Sequence, residues 1–261
     1  MTIHETAIVE GGAEIGNNVI VGPFCRVGGK ARLRDGVVLV SHVVIDGVTD
    51  IGRGTEIHPF CVLGGAPQHV GDKGEGTSLV IGANNVIREH VTMNRGTVAG
   101  RGETQIGDNG MFMTGAHVGH DCIVGNKVIF ANNATLGGHV KVGDGVFLGG
   151  LCAIHQNGRI GPYAFIGGCA AVTSDIIPYA SVIGNHAYLA GLNVVGMKRR
   201  GMDRTTIHAL RSAYKVLFND KGAFKDRVIH AKDQFGHLKE AQEIINFIEY
   251  DASRALMMPM K

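Results

Sequence analysis

The sequence predicts a mainly β chain: a parallel β-solenoid of hexapeptide repeats followed by a small α-helical region. Three observations carry this reading. An aliphatic residue recurs at every sixth position from Ile3 to Leu63. The same rhythm resumes from Ile81 to Met93 and again from Ile106 to Val172. Beyond Asp203 the apolar spacing changes to that of an amphipathic helix. A repeat this short and regular belongs to stacked coils rather than to a sandwich.

The first run comprises Ile3, Val9, Ile15, Val21, Val27, Leu33, Leu39, Ile45, Ile51, Ile57 and Leu63. Side chains at this spacing fill the axis of a coil whose three walls are short parallel strands. Gly and Asn turn the corners, and 40 glycines with no Trp suit tight corners around a narrow interior. A single coil cannot bury its own face, so stability comes from stacking. The register stops at Leu63, and residues 64–79, GGAPQHVGDKGEGTSL, read as a loop pushed outward. It returns in phase at Ile81, Ile87 and Met93, and a second excursion at 94–105 shifts the phase by one residue. Long loops on a rigid solenoid are where ligand contacts are added.

The solenoid is thus expected over 1–180, with 181–202 as irregular connection ending in a basic tip at Lys198, Arg199 and Arg200. Taken alone, that tip reads as a solvated turn. Residues 203–261 are expected to be helical. Asp203 serves as an N-cap ahead of Ile207, Leu210, Tyr214 and Leu217. Phe224, Val228 and Ala231 mark a second helix, and Ala241, Ile244, Ile245 and Ile248 a third.

Lys plus Arg number 25 against 23 Asp plus Glu, a formal charge of +2. That balance argues against a nucleic-acid coat or a membrane-binding surface. No apolar run is long enough to span a bilayer and no signal-like segment opens the chain, so a cytoplasmic protein is expected. Cys25, Cys61, Cys122 and Cys152 share the fifth hexad position with several Ala and Val residues, which predicts small buried side chains rather than disulfides or metal ligands. Cys169 falls one place earlier.

Chemistry concentrates between Ala116 and Gln156. With three hexads per coil, residues 18 apart stack at about 4.8 Å. Asp121 then lies under His139 and Gly137 under His155, with His120 beside the column and His117 just before the same corner. A lone histidine on an outward face is ordinarily just solvated; four on one edge with a carboxylate point to function. Three readings fit. Imidazoles from successive coils converge on a zinc ion that retains a water; His120 is a general base whose tautomer Asp121 fixes; or the edge is a plain binding surface. For acyl transfer, Gly137 and Gly138 leave backbone N–H groups accessible to a developing oxyanion.

The segments GAHVGHDCIVGNKVIFANNATLGGHVKVGD, AIHQNGRIG, IGNHA and NVVGMKRRG closely resemble the UDP-N-acetylglucosamine acyltransferase family, and the likeness runs essentially end to end. The resemblance implies a left-handed parallel β-helix, an exception to the usual crossover rule, assembled as a homotrimer with sites between subunits. It implies direct transfer of a 3-hydroxyacyl chain from the phosphopantetheine of acyl carrier protein to the 3-position of the UDP-sugar, the first step of lipid A biosynthesis, with no other cofactor and no metal. His120 then resembles the general base, Asp121 its orienting partner and the Gly138 N–H the oxyanion donor. His117, His139, His155 and Gln156 resemble sugar-nucleotide and thioester contacts, and His186 belongs to the matched IGNHA segment. Asn193, Arg199 and Arg200 match residues that hold the UDP moiety, guanidinium forks suiting phosphate oxygens. Gly168 resembles the position that limits acyl-chain length.

One departure stands out. Where family members carry an Asp after the glutamine of the first loop, this chain has Gln68 followed by His69. The family carboxylate contacts the acceptor near its reactive position, so the departure opens an alternative: N-acyl transfer to the 3-amino analogue. A zinc-dependent hydratase of the γ-carbonic anhydrase type is the alternative of another class. It predicts bound metal and sensitivity to chelators.

Overall fold

The computed structural model describes residues 1–73, 76–219, 221–251 and 253–260. Among these residues the hexads wind into a triangular column of three sheets with eleven, nine and eight strands, parallel throughout except for the last strand of the first sheet. The first face begins at Thr2–Ile3, the second at Ile8–Val9 and the third at Glu14–Ile15, and each later coil adds one strand to each face. Most strands are two residues long because the chain must turn every six. Registers such as His117↔Thr135 and Thr135↔Ala153 show the 18-residue coil directly.

The repeated aliphatic position points to the axis, where Val27, Leu39, Ile45, Ile57 and Leu63 are fully buried. Burying each such side chain contributes about 1.5–3 kcal/mol. The smaller corner position holds Cys25, Cys61, Cys122 and Cys152, all buried and reduced, whereas Cys169 is exposed. Burial pushes the Cys61, Cys122 and Cys152 thiols up to about 12, so they remain protonated core residues.

The two excursions are shorter than the sequence reading has them. Strands Val62–Gly65 and Ser78–Ile81 take in the ends of the first loop, leaving 66–77 outside. Strands Thr92–Asn94 and Glu103–Ile106 reduce the second to 95–102. The loop ends are strand because they find ladder partners: Gly65 pairs with Asn94, and Ser78 with both Val48 and Glu103.

Residues 181–202 are likewise not irregular connection. Ala180–Ile183 continues the first face in parallel, and Tyr188–Leu192 folds back on it antiparallel. A short helix, α1, follows at Val194–Arg199. The hexad pattern stops here, yet the exposed edge of the last coil still supplies backbone partners. Three helices follow: α2, Arg204–Leu217, α3, Phe224–Phe235, and α4, Lys239–Tyr250. The Asp203 carboxylate accepts from the Thr206 N–H at 2.9 Å, the cap that the sequence indicates. After α4 the chain returns to the column, where the Asp175 N–H donates to the Ala255 carbonyl and the Met257 N–H to the Asp175 carbonyl.

Candidate active site

The candidate catalytic residues His120, Asp121 and Gly138 lie on the corner between the second and third faces. Here residues 119, 137 and 155 stack, as do 120, 138 and 156, and 121, 139 and 157. Asp121, His139 and Asn157 turn the corner with positive φ of 61°, 62° and 62°. Asn and Asp tolerate this region better than most residues. Both excursions leave the column at this corner, after Gly65 and after Asn94, so they arch over the histidines. The sequence contained this signal, since Leu63 and Met93 occupy the same column as Val118, Leu136 and Ile154.

His120 is nearly buried, and its Nδ1 lies 2.8 Å from Asp121 Oδ2. An ionised carboxylate only accepts, so Nδ1 carries the proton and Nε2 is left as the basic nitrogen. Asp121 is wholly buried at its side chain. Burial alone would raise its pKa, but hydrogen bonds from Thr97 Oγ1 at 2.7 Å, from His120, and from the Thr97 and Arg101 N–H groups outweigh it and hold the carboxyl below its ordinary value. Its own N–H donates to Thr104 Oγ1 at 2.8 Å. The second excursion therefore clamps the carboxylate that is hydrogen-bonded to the His120 ring. Sequence reasoning missed Thr97, Arg101 and Thr104, because nothing in their spacing marks a hydrogen-bond cage.

Gly138 lies directly above His120. A Cβ there would come within 2.5 Å of His120 Cε1 and 2.6 Å of Nε2, so only glycine leaves room for the ring. Among the described residues the Gly138 N–H has no hydrogen-bond acceptor. A backbone donor with no partner among the described residues therefore lies on the buried glycine stacked over the imidazole. His139 stands edge-on to His120 at 5.0 Å between ring centroids, and His69, from the first excursion, does so at 5.4 Å. The departure at position 69 is thus part of the site, since the His69 ring packs edge-on against His120.

The other histidines are less concentrated than the sequence suggests. His117 faces outward on the second face with Nδ1 2.7 Å from Thr92 Oγ1, and burial with the neighbouring His120 lowers its pKa. His155 and Gln156 continue the corner upward but are exposed, His155 Nδ1 lying 3.1 Å from the Gln156 carbonyl. Gln68 is exposed beside His69. Ligand atoms of His120, Asp121 and His139 lie within 4.8 Å of one another. The convergence of imidazoles from several coils that the zinc reading requires is reduced to two rings and a carboxylate, and that carboxylate already accepts from Thr97, Arg101 and His120. The donor set fits a hydrogen-bonded base rather than a metal centre.

Comparison with known proteins accords with this geometry. A family model described as UDP-N-acetylglucosamine O-acyltransferase, domain 2, matches residues 175–257, and a bacterial transferase hexapeptide model matches 103–138. The acyl-(acyl-carrier-protein)–UDP-N-acetylglucosamine O-acyltransferase of Caulobacter vibrioides is 55% identical over 259 residues, 99% of this chain and 98% of the relative. The chain belongs to the UDP-N-acetylglucosamine O-acyltransferase family. The Rhizobium johnstonii enzyme of the same name is 48% identical, covering 99% of this chain and 95% of the relative. The solved structure of LpxA from Acinetobacter baumannii superposes with a TM-score of 0.94 at 39% identity, covering both chains completely. The column is the left-handed parallel β-helix of these acyltransferases.

Several residues that the family resemblance adds lie away from the dyad. Asn193 caps α1, its side chain accepting from the Gly196 N–H at 2.9 Å and donating to the Tyr163 carbonyl at 3.1 Å. Arg200 lies over the Tyr163 ring at 3.8 Å, on the corner between the third and first faces, with Arg199 exposed beside it. His186, also exposed, bridges to Ala171 at the end of the second face. Gly168 is exposed on the corner between the first and second faces. Within one chain these residues sit on the other two corners or at the column's end.

Proposed function

We propose that this protein transfers a 3-hydroxyacyl chain from acyl carrier protein to the 3-hydroxyl of UDP-N-acetylglucosamine, the opening step of lipid A biosynthesis. The observation that carries the chemistry is the His120–Asp121 pair stacked under Gly138, whose N–H has no partner among the described residues. His120 Nε2 removes the proton of the sugar hydroxyl as that oxygen attacks the thioester carbonyl. Asp121 stabilises the imidazolium, and the Gly138 N–H donates to the oxyanion. Collapse expels the carrier thiolate, which takes the proton back from His120. No group beyond the carrier's phosphopantetheine is required. The relatives' names specify O-acyl transfer, and neither the 3-amino acceptor nor zinc hydration is favoured over it.

The remaining assignments follow the same reading. Gln68, His69, His117, His139, His155 and Gln156 contact the sugar and thioester, while Asn193, Arg199 and Arg200 hold the nucleotide. One chain carries these groups on different corners, so the complete site needs the corner of a second copy, as in a homotrimer with the third and first faces' corner of one subunit against the His120 corner of the next. No described helix is long and apolar enough to cross a membrane, and both substrates of this reaction belong to the cytoplasm.

Purified protein supplied with 3-hydroxyacyl carrier protein and UDP-N-acetylglucosamine is expected to form the 3-O-acyl sugar nucleotide and release free carrier thiol. Product from the 3-amino analogue alone would replace this reading. A panel of donors also tests Gly168. A Cβ there meets the Gly150 carbonyl oxygen at 3.1 Å and the Gly150 nitrogen at 3.9 Å, a tight backbone contact on an otherwise exposed position. Gly168→Met is expected to shift the preferred donor to a shorter chain with total turnover largely kept. An unchanged preference removes Gly168 from the chain-length assignment.

A further inference from the structure

Loops on the column are expected to carry ligand contacts, yet the inner side of the second excursion, 95–102, is taken up by Asp121. Asp121 Oδ1 accepts from the Thr97 N–H at 3.0 Å and from the Arg101 N–H at 2.8 Å. Its Oδ2 accepts from Thr97 Oγ1 at 2.7 Å and from His120 Nδ1 at 2.8 Å. A carboxylate offers about four acceptor sites, and these donors fill them. His139 Nε2 stands off at 3.8 Å. Among the described residues Thr97 is therefore the only side chain besides His120 that donates to this group.

The excursion is shaped for the contact. A Cβ on Gly100 would come within 2.5 Å of Asp121 Cγ and Oδ2 and 2.6 Å of Oδ1, so the loop backbone lies directly against the carboxylate. Only a glycine permits that approach. The Thr97 carbonyl accepts from the Gly100 and Gly102 N–H groups at 3.1 and 2.9 Å, closing the loop on itself, and Thr97 is buried. The root is tied as well: the Gly96 N–H donates to the Ser78 carbonyl at 3.1 Å, and the Ser78 N–H to the Gly102 carbonyl at 2.9 Å. A loop that only shielded the corner would need neither a hydroxyl nor a glycine pressed on a carboxylate.

The consequence reaches His120. Among the described residues its ring makes one hydrogen bond, to Asp121 Oδ2, so a rotation of the carboxylate would turn the imidazole with it. The Thr97 hydroxyl bonds that same oxygen and opposes the rotation. A reacting group displaced by a fraction of its contact distance loses much of its effect.

We propose that Thr97 is a positioning residue for acyl transfer: its hydroxyl, seated by the Gly100 turn, fixes Asp121 and through it the direction of His120. The inference rests on His120 acting as the base, as in the proposed function. Thr97 acts through Asp121 rather than on either substrate.

Thr97→Val removes the hydroxyl while keeping the side-chain shape and the backbone N–H. It is expected to lower kcat about tenfold, as for a lost hydrogen bond to a charged group, with KM for both substrates unmoved. In protein isotope-labelled at the histidine nitrogens and free of substrate, the His120 Nδ1–H resonance is expected to shift and to exchange faster with water. Thr97→Ser, which keeps the hydroxyl, should restore most of the rate and the wild-type resonance. Gly100→Ala, which wedges the loop off the carboxylate without removing a donor, should lower kcat in the same direction. Turnover of Thr97→Val or Gly100→Ala within about twofold of wild type, or an unmoved resonance in Thr97→Val, would overturn the proposal. So would a loss confined to KM, which would make the excursion a substrate contact. An equal loss in Thr97→Ser with a lowered thermal melt would also overturn it, by making the role structural. Wild-type protein inactive on both substrates would instead overturn the proposed function; the resonance comparison needs no turnover, so the two readings fail separately.

Discussion

His120→Ala is expected to lower kcat by about 10²- to 10⁴-fold, the contribution of a well-placed general base, with little change in KM for the nucleotide sugar. The fold should survive. The ring gives up one hydrogen bond to Asp121, and that carboxylate keeps its bonds from Thr97 and the Arg101 N–H. Steady-state rates with saturating donor, beside a thermal melt, make the measurement. A variant with more than a tenth of wild-type turnover and a normal melt would remove His120 from the role of base and shift attention to His69 or His139, whose rings lie at 5.4 and 5.0 Å from it.

Asp175→Ala is expected to cause the largest loss of stability. This carboxylate is fully buried, receives Arg159 Nε at 2.6 Å and the Arg159 N–H at 3.0 Å, and is approached by Arg254 Nε at 3.2 Å. Removing it strands the largely buried Arg159 guanidinium, which lies over the Phe247 ring at 4.6 Å and donates to the Asp251 carbonyl at 2.6 Å. Breaking one side of such a buried pair costs about 3–5 kcal/mol. Urea titration should show the midpoint fall accordingly, and a loss below about 1 kcal/mol would mean that the tail is held by its backbone bonds alone.

How much of this was legible in the sequence divides along a physical line. The column was, since a six-residue period admits little besides stacked coils, and the positions 18 apart correctly place Asp121 beneath His139. Helices α2 to α4 were legible from the Asp203 cap and the apolar spacing. The strands at Ala180–Ile183 and Tyr188–Leu192 were not, because they form on the edge offered by the last coil rather than from a pattern of their own. At the site, periodicity gives columns but not side-chain directions. It groups His117 and His155 with His120, although one turns to Thr92 and the other to solvent. It also cannot show that Thr97 and Arg101 reach back from a loop to enclose Asp121, since that contact depends on how an aperiodic segment folds over the corner.

The column has unlike ends. At its finish, the tail through Ala255 and Met257 bonds to Asp175 and seals the last turn. At its start, Ile3 and Ile8 remain exposed on strands with a ladder partner on one side only. Fraying therefore begins at the amino-terminal rungs and travels inward one rung at a time. His120 lies several rungs from that loose end, so the alignment of its neighbours persists through the most frequent excursions of the molecule.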